Sequence, residues 1–263
     1  MNVDPDVDGR VTVTHATGLA TIWIDRPAKL NALTPELLEA IAGAIQQCGD
    51  SEARVVLLRS TGDRAFCVGA DITRFSVLGP TEMWSSWTSR GHRVFDAIAH
   101  LPQPTVAVVH GDAFGGGFEL ALAADFRVMS ASARLGLPEV GLGTVPGWGG
   151  TERLTMLVGP ARAKEVCLAR RTLDAETALA WGVVTALAEP TQLGAAVDRI
   201  VNDLAGGAPV AVRLAKQLID AAAAGVPSRH LEPLAGALAA TTTDLAEGVA
   251  AFRERRAPDF TGR

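Results

Sequence analysis

The stretch that decides the fold is HGDAFGGGFELALAADFRV, residues 110–128. It follows an apolar, β-branched run at 105–109, and a helix is expected to begin at its glycines. The N–H groups of Gly116 and Gly117 would then be free donors at the positive helix end, where glycine lets a ligand approach closely. Glycines that give clearance for a helix packed on its sheet explain the segment equally well. A single carboxylate, Glu119, follows in otherwise apolar surroundings.

Strand and helix patterns alternate in the first half of the chain. The runs typical of buried strands lie at 55–58, 105–109 and 126–129, and an alternating pattern at 11–25 predicts a hairpin. The helical patterns lie at about 35–48, 81–100 and 117–124. This alternation predicts an α/β core.

The second half of the chain is mostly helical in pattern. One strand-like run at 183–187 interrupts it, and a single long helix is predicted at 230–256. A Gly-Gly-Ala-Pro stretch begins at Gly206 and precedes an alanine-rich helical tail. We therefore place a boundary there, which gives a core of residues 1–206 and a carboxyl-terminal helical region of residues 207–263.

Composition excludes several classes of protein. Apolar residues make up 48% of the chain and charged residues 20%, which is far from the disordered class. The net charge of −5 lacks the basic field of nucleic-acid binders, and no apolar run approaches the roughly 20 residues of a membrane span. Three cysteines without a CxxC pair indicate neither a disulfide framework nor a zinc site. With an acidic amino terminus in place of a basic leader, we expect a cytoplasmic protein.

A second glycine-bearing stretch, RAFCVGADI, spans residues 64–72. Gly69 again follows an apolar run and precedes a possible helical turn, so that the N–H of Ala70 would be another free donor. Two backbone donors that converge on one oxygen form an oxyanion hole. Spacing alone does not establish that they converge.

A second isolated carboxylate occurs in GLPEVGLGTVPGWGGTERL, residues 136–154. Burial without a partner raises the pKa of a carboxyl group and prepares it for proton transfer, so Glu119 and Glu139 are candidates for an acid and base pair. A structural role is the alternative, since Arg134 might pair with Glu139, and Arg127 or Arg153 with Glu119 or Glu152. Nucleotide-binding loops are not indicated, because Gly117 stands where a Walker loop requires lysine.

Five stretches together resemble the enoyl-CoA hydratase/isomerase (crotonase) superfamily, in matching order across nearly the whole chain. They are DRPAKLNALT (25–34), AFCVGADI (65–72), GDAFGGGFELALAADFRV (111–128), LPEVGLGTVPGWGGTERL (137–154) and EGVAAFRERRAPDF (247–260). The resemblance implies an α/β spiral of β-β-α units followed by a helical region used for trimerisation, often as a dimer of trimers. It also implies an acyl-CoA substrate and no separate cofactor, because coenzyme A is part of that substrate.

The resemblance also assigns roles to individual positions. Ala70 and Gly116 match the two oxyanion donors, Glu119 matches the base that aids attack of water, and Glu139 matches the acid that protonates the α-carbon. The positions that match segments around the CoA and acyl groups are Ala28, Leu30, Ala32, Gly69, Asp71, Ile72, Gly115 and Pro138. No metal ligand is implied.

Because both glutamates are present, the expected activity is hydration of trans-2-enoyl-CoA thioesters, a chemistry that the resemblance associates with fatty acid β-oxidation. A Δ3-Δ2-enoyl-CoA isomerase and a non-catalytic acyl-CoA-binding protein remain alternatives. Two positions depart from the usual pattern, because Val68 and Trp148 are bulkier than expected and would narrow the acyl pocket. By the same resemblance residues 75–95, with Trp84, Trp87 and Phe95, would line that pocket, although aromatic residues at this spacing are more often plain core.

Overall fold

The computed structural model describes residues 8–263, and the acidic stretch at residues 1–7 lies outside the described residues. Its strands, in chain order, are β1 (Arg10–Ala16), β2 (Leu19–Asp25), β3 (Val55–Ser60), β4 (Ala65–Cys67), β5 (Thr105–Val109), β6 (Asp112–Phe114), β7 (Phe126–Ser130), β8 (Leu135–Gly136) and β9 (Ala186–Ala188). A six-stranded sheet has the order β1-β2-β3-β5-β7-β9, and a three-stranded sheet has the order β4-β6-β8. Only the β1–β2 pair is antiparallel in these two sheets.

The α-helices are α1 (Pro35–Gly49), α2 (Ile72–Phe75), α3 (Pro80–Glu82), α4 (Ser89–Ala99), α5 (Gly116–Ala123), α6 (Gly150–Cys167), α7 (Ala175–Ala180), α8 (Leu193–Ala205), α9 (Pro209–Ala223), α10 (Glu232–Ala239) and α11 (Thr243–Glu254). A π-helical segment, Met83–Thr88, joins α3 to α4. Three times in succession the chain adds one strand to the large sheet, the next strand to the small sheet, and then a helix. The predicted spiral of β-β-α units is therefore confirmed, with carboxyl-terminal helices after it.

The central strands of the large sheet are buried on both faces, which explains their unbroken apolar runs. In β3, Val56 and Leu58 face the main hydrophobic core, whereas Val55 and Leu57 face a smaller core under α8. The small sheet lies on the side of the main core, so the loops that follow its strands meet helix α5. This arrangement brings together two glycine-bearing segments that are distant in sequence.

Helix α5 is buried on all sides, and its glycines have different tasks. Its N-cap, Gly115, has a φ of 53°, a backbone conformation that favours glycine. A Cβ at Gly117 would lie 1.9 Å from the carbonyl oxygen of Cys67 in β4, so this glycine provides clearance. The N–H of Gly116 stands at the free amino-terminal end of the helix. The clearance explanation therefore holds for Gly117, and Gly116 keeps the free donor that the ligand explanation requires.

Gly117→Ala is expected to destabilise the protein by about 1–3 kcal/mol or more, because its Cβ overlaps backbone that has no room to move. The matched control is Gly43→Ala in the exposed part of α1, where nothing lies within 4 Å of the new methyl group. That change should stabilise the protein by about 0.4–1 kcal/mol. Urea unfolding at equal protein concentration measures both, and equal effects of the two substitutions would contradict this packing argument.

Two sequence predictions in the second half were wrong in detail. The single helix predicted at 230–256 is broken into α10 and α11, because the hydroxyls of Thr241 and Thr242 donate to the carbonyls of Leu238 and Ala239 and end the first helix. The strand predicted at 183–187 is the shorter β9, displaced toward the carboxyl terminus. Hydrophobic periodicity located both regions but not their boundaries.

The carboxyl-terminal helices attach to the core through polar contacts. Lys216 in α9 donates to Asp125 at 2.7 Å, and Asp125 also accepts from the backbone N–H of Thr105. None of the helices in residues 8–263 combines the length and apolar character that crossing a bilayer requires. The division at residue 206 remains a prediction.

Candidate active site

One cleft collects the residues on which the sequence analysis depends. It is an open-mouthed cavity of about 660 Å³, a volume that includes its mouth. Its wall contains Ala70, Ile72, Gly115, Gly116, Glu119, Pro138 and Glu139 among the predicted site residues. The structure thus brings both glutamates and both predicted backbone donors to a single cavity.

The two predicted donors lie at adjoining bends. A Cβ at Gly69 would lie 2.8 Å from the backbone nitrogen of Gly116, so only a glycine lets these bends approach so closely. The loop that carries Ala70 is fixed by Leu33, whose N–H donates to Gly69 O at 2.7 Å and whose carbonyl accepts from Asp71 N–H at 2.8 Å. Among residues 8–263 neither Ala70 N–H nor Gly116 N–H has an acceptor. Both groups are therefore available to a ligand oxygen.

Glu119 is 2% exposed, and backbone amides hold its carboxylate. Its Oε1 accepts from the N–H groups of Trp148 and Gly150, each at 2.8 Å. Burial raises the pKa of Glu119, and these two hydrogen bonds oppose the rise because they stabilise the ionised form. The side chain therefore has a fixed position in the cavity wall without a cationic partner.

Glu139 stands in a contrasting environment at the start of a short 3-10 turn, Glu139–Leu142. Both of its carboxyl oxygens are buried and have no hydrogen-bond partner among the described residues. Burial, together with the negative charge of Glu119, raises the pKa of Glu139 to about 7. Glu139 is thus a carboxyl group that is still partly protonated at neutral pH.

The structural alternative for these glutamates, pairing with arginine, does not hold. Arg134 pairs with Asp112 at 2.7 Å, and Arg127 donates to the carbonyls of Val183 and Ala124. Arg153 donates to the carbonyl of Trp148 and pairs with Asp96. It does not bond to Glu119, and it lowers the pKa of Glu119 only through its charge. Within residues 8–263 these three arginines bind other groups, and neither glutamate has a cationic partner.

The raised pKa of Glu139 predicts a pH-dependent stability. Between its unfolded value near 4.5 and its folded value of about 7, the folded state binds more protons, so the free energy of unfolding falls as pH rises through this window. Glu139→Gln removes the titrating group and should flatten this slope. Urea unfolding at about pH 5 and about pH 8 measures the effect, and an equal loss in both proteins would contradict the burial of Glu139 in a neutral form.

The aromatic residues divide between the cavity and the core. Trp87 and Trp148 line the cavity with ring centroids 5.3 Å apart, whereas Phe95 is buried behind Trp148 in edge-to-face contact. Trp84 is 73% exposed and lies outside the cavity wall, so the prediction that it lines the pocket was wrong. Trp84 and Trp87 lie in the π-helical segment Met83–Thr88, whose number of residues per turn differs from that of the α-helix assumed from the sequence.

The remaining predicted ligand-binding residues are not part of the cavity wall, and they are Ala28, Leu30, Ala32, Gly69 and Asp71. Ala28 and Leu30 lie in one turn, and the N–H of Val68 donates a hydrogen bond to the carbonyl oxygen of Leu30. Ala32 is buried, and Asp71 caps α2 and pairs with Arg26 at 2.7 Å. Contact of these residues with CoA remains a prediction.

The cavity wall includes Phe75, Met83 and Thr88 from the region 75–95 that the resemblance assigned to the pocket. The sequence analysis missed three further residues of the wall, Leu142, Thr144 and Val145. The last three stand within the third glycine-bearing stretch, but their contribution depends on the turn at Glu139–Leu142 and Gly143, which has a φ of 74°. The sequence analysis also missed the N–H groups of Trp148 and Gly150 as hydrogen-bond donors to Glu119. The glycines around Trp148 were the sequence feature that could have indicated them.

Comparisons with known proteins agree with this geometry. The family profile described as "Enoyl-CoA hydratase/isomerase" matches residues 14–263. A short-chain-enoyl-CoA hydratase of Clostridium acetobutylicum is 39% identical over 203 residues, 77% of each chain. A crotonyl-CoA hydratase of Syntrophomonas wolfei is 36% identical over 251 residues, 93% of this chain and 95% of that protein. The crystal structure of an enoyl-CoA hydratase from Bacillus anthracis has a TM-score of 0.92 and 34% identity, and the match covers 97% of this chain and 100% of that one.

Proposed function

Since the chain belongs to the enoyl-CoA hydratase/isomerase family, we propose that it is an enoyl-CoA hydratase that adds water across the double bond of trans-2-enoyl-CoA thioesters. One observation carries the proposal. Two carboxyl groups, which have no cationic partner among the described residues, share a cavity with two free backbone donors, and only Glu119 receives amide hydrogen bonds that stabilise an ionised form. Two carboxyls separated in this way are suited to act as an acid and a base.

In the proposed reaction, the thioester oxygen of the substrate accepts from Ala70 N–H and Gly116 N–H. These donors stabilise the negative charge that develops on this oxygen when water attacks the β-carbon, and each contributes on the order of 100–1,000-fold in rate. Gly69 permits the close approach of the two bends that this requires.

Proton transfer is divided between the two glutamates. Glu119, whose ionised form the amide hydrogen bonds stabilise, takes a proton from the attacking water, whose oxygen bonds to the β-carbon. Glu139, whose protonated form burial favours, gives its proton to the α-carbon. The product is a 3-hydroxyacyl-CoA, and one proton passes from Glu119 to Glu139 through solvent before the next turnover.

Incubation with crotonyl-CoA tests the proposal through the loss of the conjugated enoyl-thioester absorbance, with mass spectrometry to confirm the gain of one water. A panel of short, medium and branched acyl chains extends the test. Absence of hydration with every member would reject the proposal. An isomerase would instead create the absorbance from a 3-enoyl-CoA, and a non-catalytic protein would bind acyl-CoA without changing it.

We also propose a homotrimer, or a dimer of trimers, assembled through residues 207–263. The helices α9, α10 and α11 expose large apolar side chains, among them Ile219, Leu234 and Phe252. Apolar surface of this kind is typical of an interface with another chain. Light scattering measures the mass, and a monomer at micromolar concentration would contradict the proposal. A cytoplasmic location and a reaction without metal or redox cofactor are parts of the same proposal.

A further inference from the structure

The indole of Trp148 occupies a slot between two helices. A Cβ at Gly91 in α4 would lie 2.2 Å from its Nε1, and a Cβ at Gly116 in α5 would lie 2.3 Å from its Cζ3. The ring is 3% exposed, yet it lines the cavity beside both glutamates. The two glycines therefore make space for a large side chain at the inner wall of the cleft.

The aromatic neighbours hold this indole in place. Trp87 lies at 5.3 Å between ring centroids and Phe95 at 5.2 Å, with Phe95 fully buried behind it. Protein interiors are close-packed and have few voids into which a ring of this size can move. We therefore expect the ring of Trp148 to keep this position.

Trp148 is also tied to the reacting groups through its backbone. Its N–H donates to Glu119, while its ring covers Gly116, whose N–H is one of the two donors. The indole thus borders the place where the proposed reaction puts the thioester and the α- and β-carbons. An acyl chain that continues inward beyond the β-carbon meets the ring.

We propose that Trp148 closes the inner end of the acyl pocket and restricts the enzyme to short-chain 2-enoyl-CoA substrates, an inference that rests on the proposed function. Apolar pockets discriminate by roughly 10–200-fold for a methylene group that does not fit. The competing possibility is an acyl tail that leaves the cavity over the exposed side chains of Leu142 and Val145, which would give no limit on chain length.

The test compares kcat/KM for crotonyl-CoA and trans-2-octenoyl-CoA. The wild-type protein should prefer crotonyl-CoA by at least about tenfold, and Trp148→Leu should reduce this preference by at least about tenfold while keeping the backbone N–H that holds Glu119. Trp148→Phe keeps a smaller aromatic ring and should give an intermediate preference. It replaces Trp148→Leu in the test if that variant does not fold.

Phe95→Leu is the matched control, because Phe95 contacts Trp148 but lies outside the cavity wall. It should leave the preference unchanged. A wild-type protein that hydrates octenoyl-CoA as well as crotonyl-CoA would overturn the inference and leave the proposed function intact. An equal change of preference in Phe95→Leu and Trp148→Leu would also overturn it, since general loosening of the core would then explain the effect.

Calorimetry with the saturated thioesters butyryl-CoA and octanoyl-CoA separates the two proposals. If no enoyl-CoA is hydrated, the proposed function fails. The proposal that Trp148 closes the acyl pocket would still be supported if butyryl-CoA bound with a Kd tenfold lower than octanoyl-CoA and Trp148→Leu removed this difference. Equal Kd values for both thioesters, or binding of neither, would overturn it.

Discussion

Glu139→Gln is expected to lower kcat for hydration of crotonyl-CoA by about 100–10,000-fold, the range that a general acid contributes. The amide has no proton of suitable acidity to give to the α-carbon. Folding should be preserved, because neither oxygen of Glu139 accepts a hydrogen bond among the described residues. Stopped-flow or steady-state absorbance measures kcat, and the unfolding transition checks the fold.

The pH profile adds a second readout for Glu139. Since burial raises its pKa to about 7, kcat/KM of the wild-type protein should decline above this pH as the acid loses its proton. Glu152→Gln is the control, because it removes an exposed carboxyl of α6 that lies outside the cavity wall. A Glu139→Gln protein that stays within a few-fold of wild type would remove Glu139 from the mechanism.

Glu119→Gln is expected to produce a loss of similar size, about 100–10,000-fold in kcat, through removal of the general base. The carbonyl oxygen of glutamine can still accept from Trp148 N–H and Gly150 N–H, so the side chain keeps its position. KM should change little, because the donors Ala70 N–H and Gly116 N–H are untouched. Unchanged kcat here would remove Glu119 from the mechanism, and a large loss in only one of the two glutamine variants would favour an isomerase.

Glu119→Ala separates chemistry from support of the wall. This change leaves the N–H groups of Trp148 and Gly150 buried without an acceptor, at a cost of about 1–3 kcal/mol for each. The alanine variant should therefore unfold at a lower urea concentration than Glu119→Gln, although both have lost the base. Equal midpoints would mean that the two amide hydrogen bonds contribute little to stability.

The sequence identified most of the polar groups of the cavity because the residues that would carry the proposed reaction are conspicuous in the chain. Glycines at positions 69 and 116 and carboxylates at positions 119 and 139 stand out in apolar surroundings, and their ordered stretches resemble a family. The aromatic residues were less clear, because the same spacing serves a core residue such as Phe95, a cavity residue such as Trp87, and an exposed residue such as Trp84.

Local sequence by itself determined the α/β alternation, the start of α1 at Thr34 and Pro35, and the glycine bends, since each depends on neighbouring residues only. Tertiary structure alone decided that the bends at Gly69 and Gly116 meet, that Glu119 receives two amide hydrogen bonds, and that the carboxyl of Glu139 has no hydrogen-bond partner within residues 8–263. These properties depend on contacts between segments far apart in the chain, and the free energy that sets a carboxyl pKa comes from those contacts and from the exclusion of water.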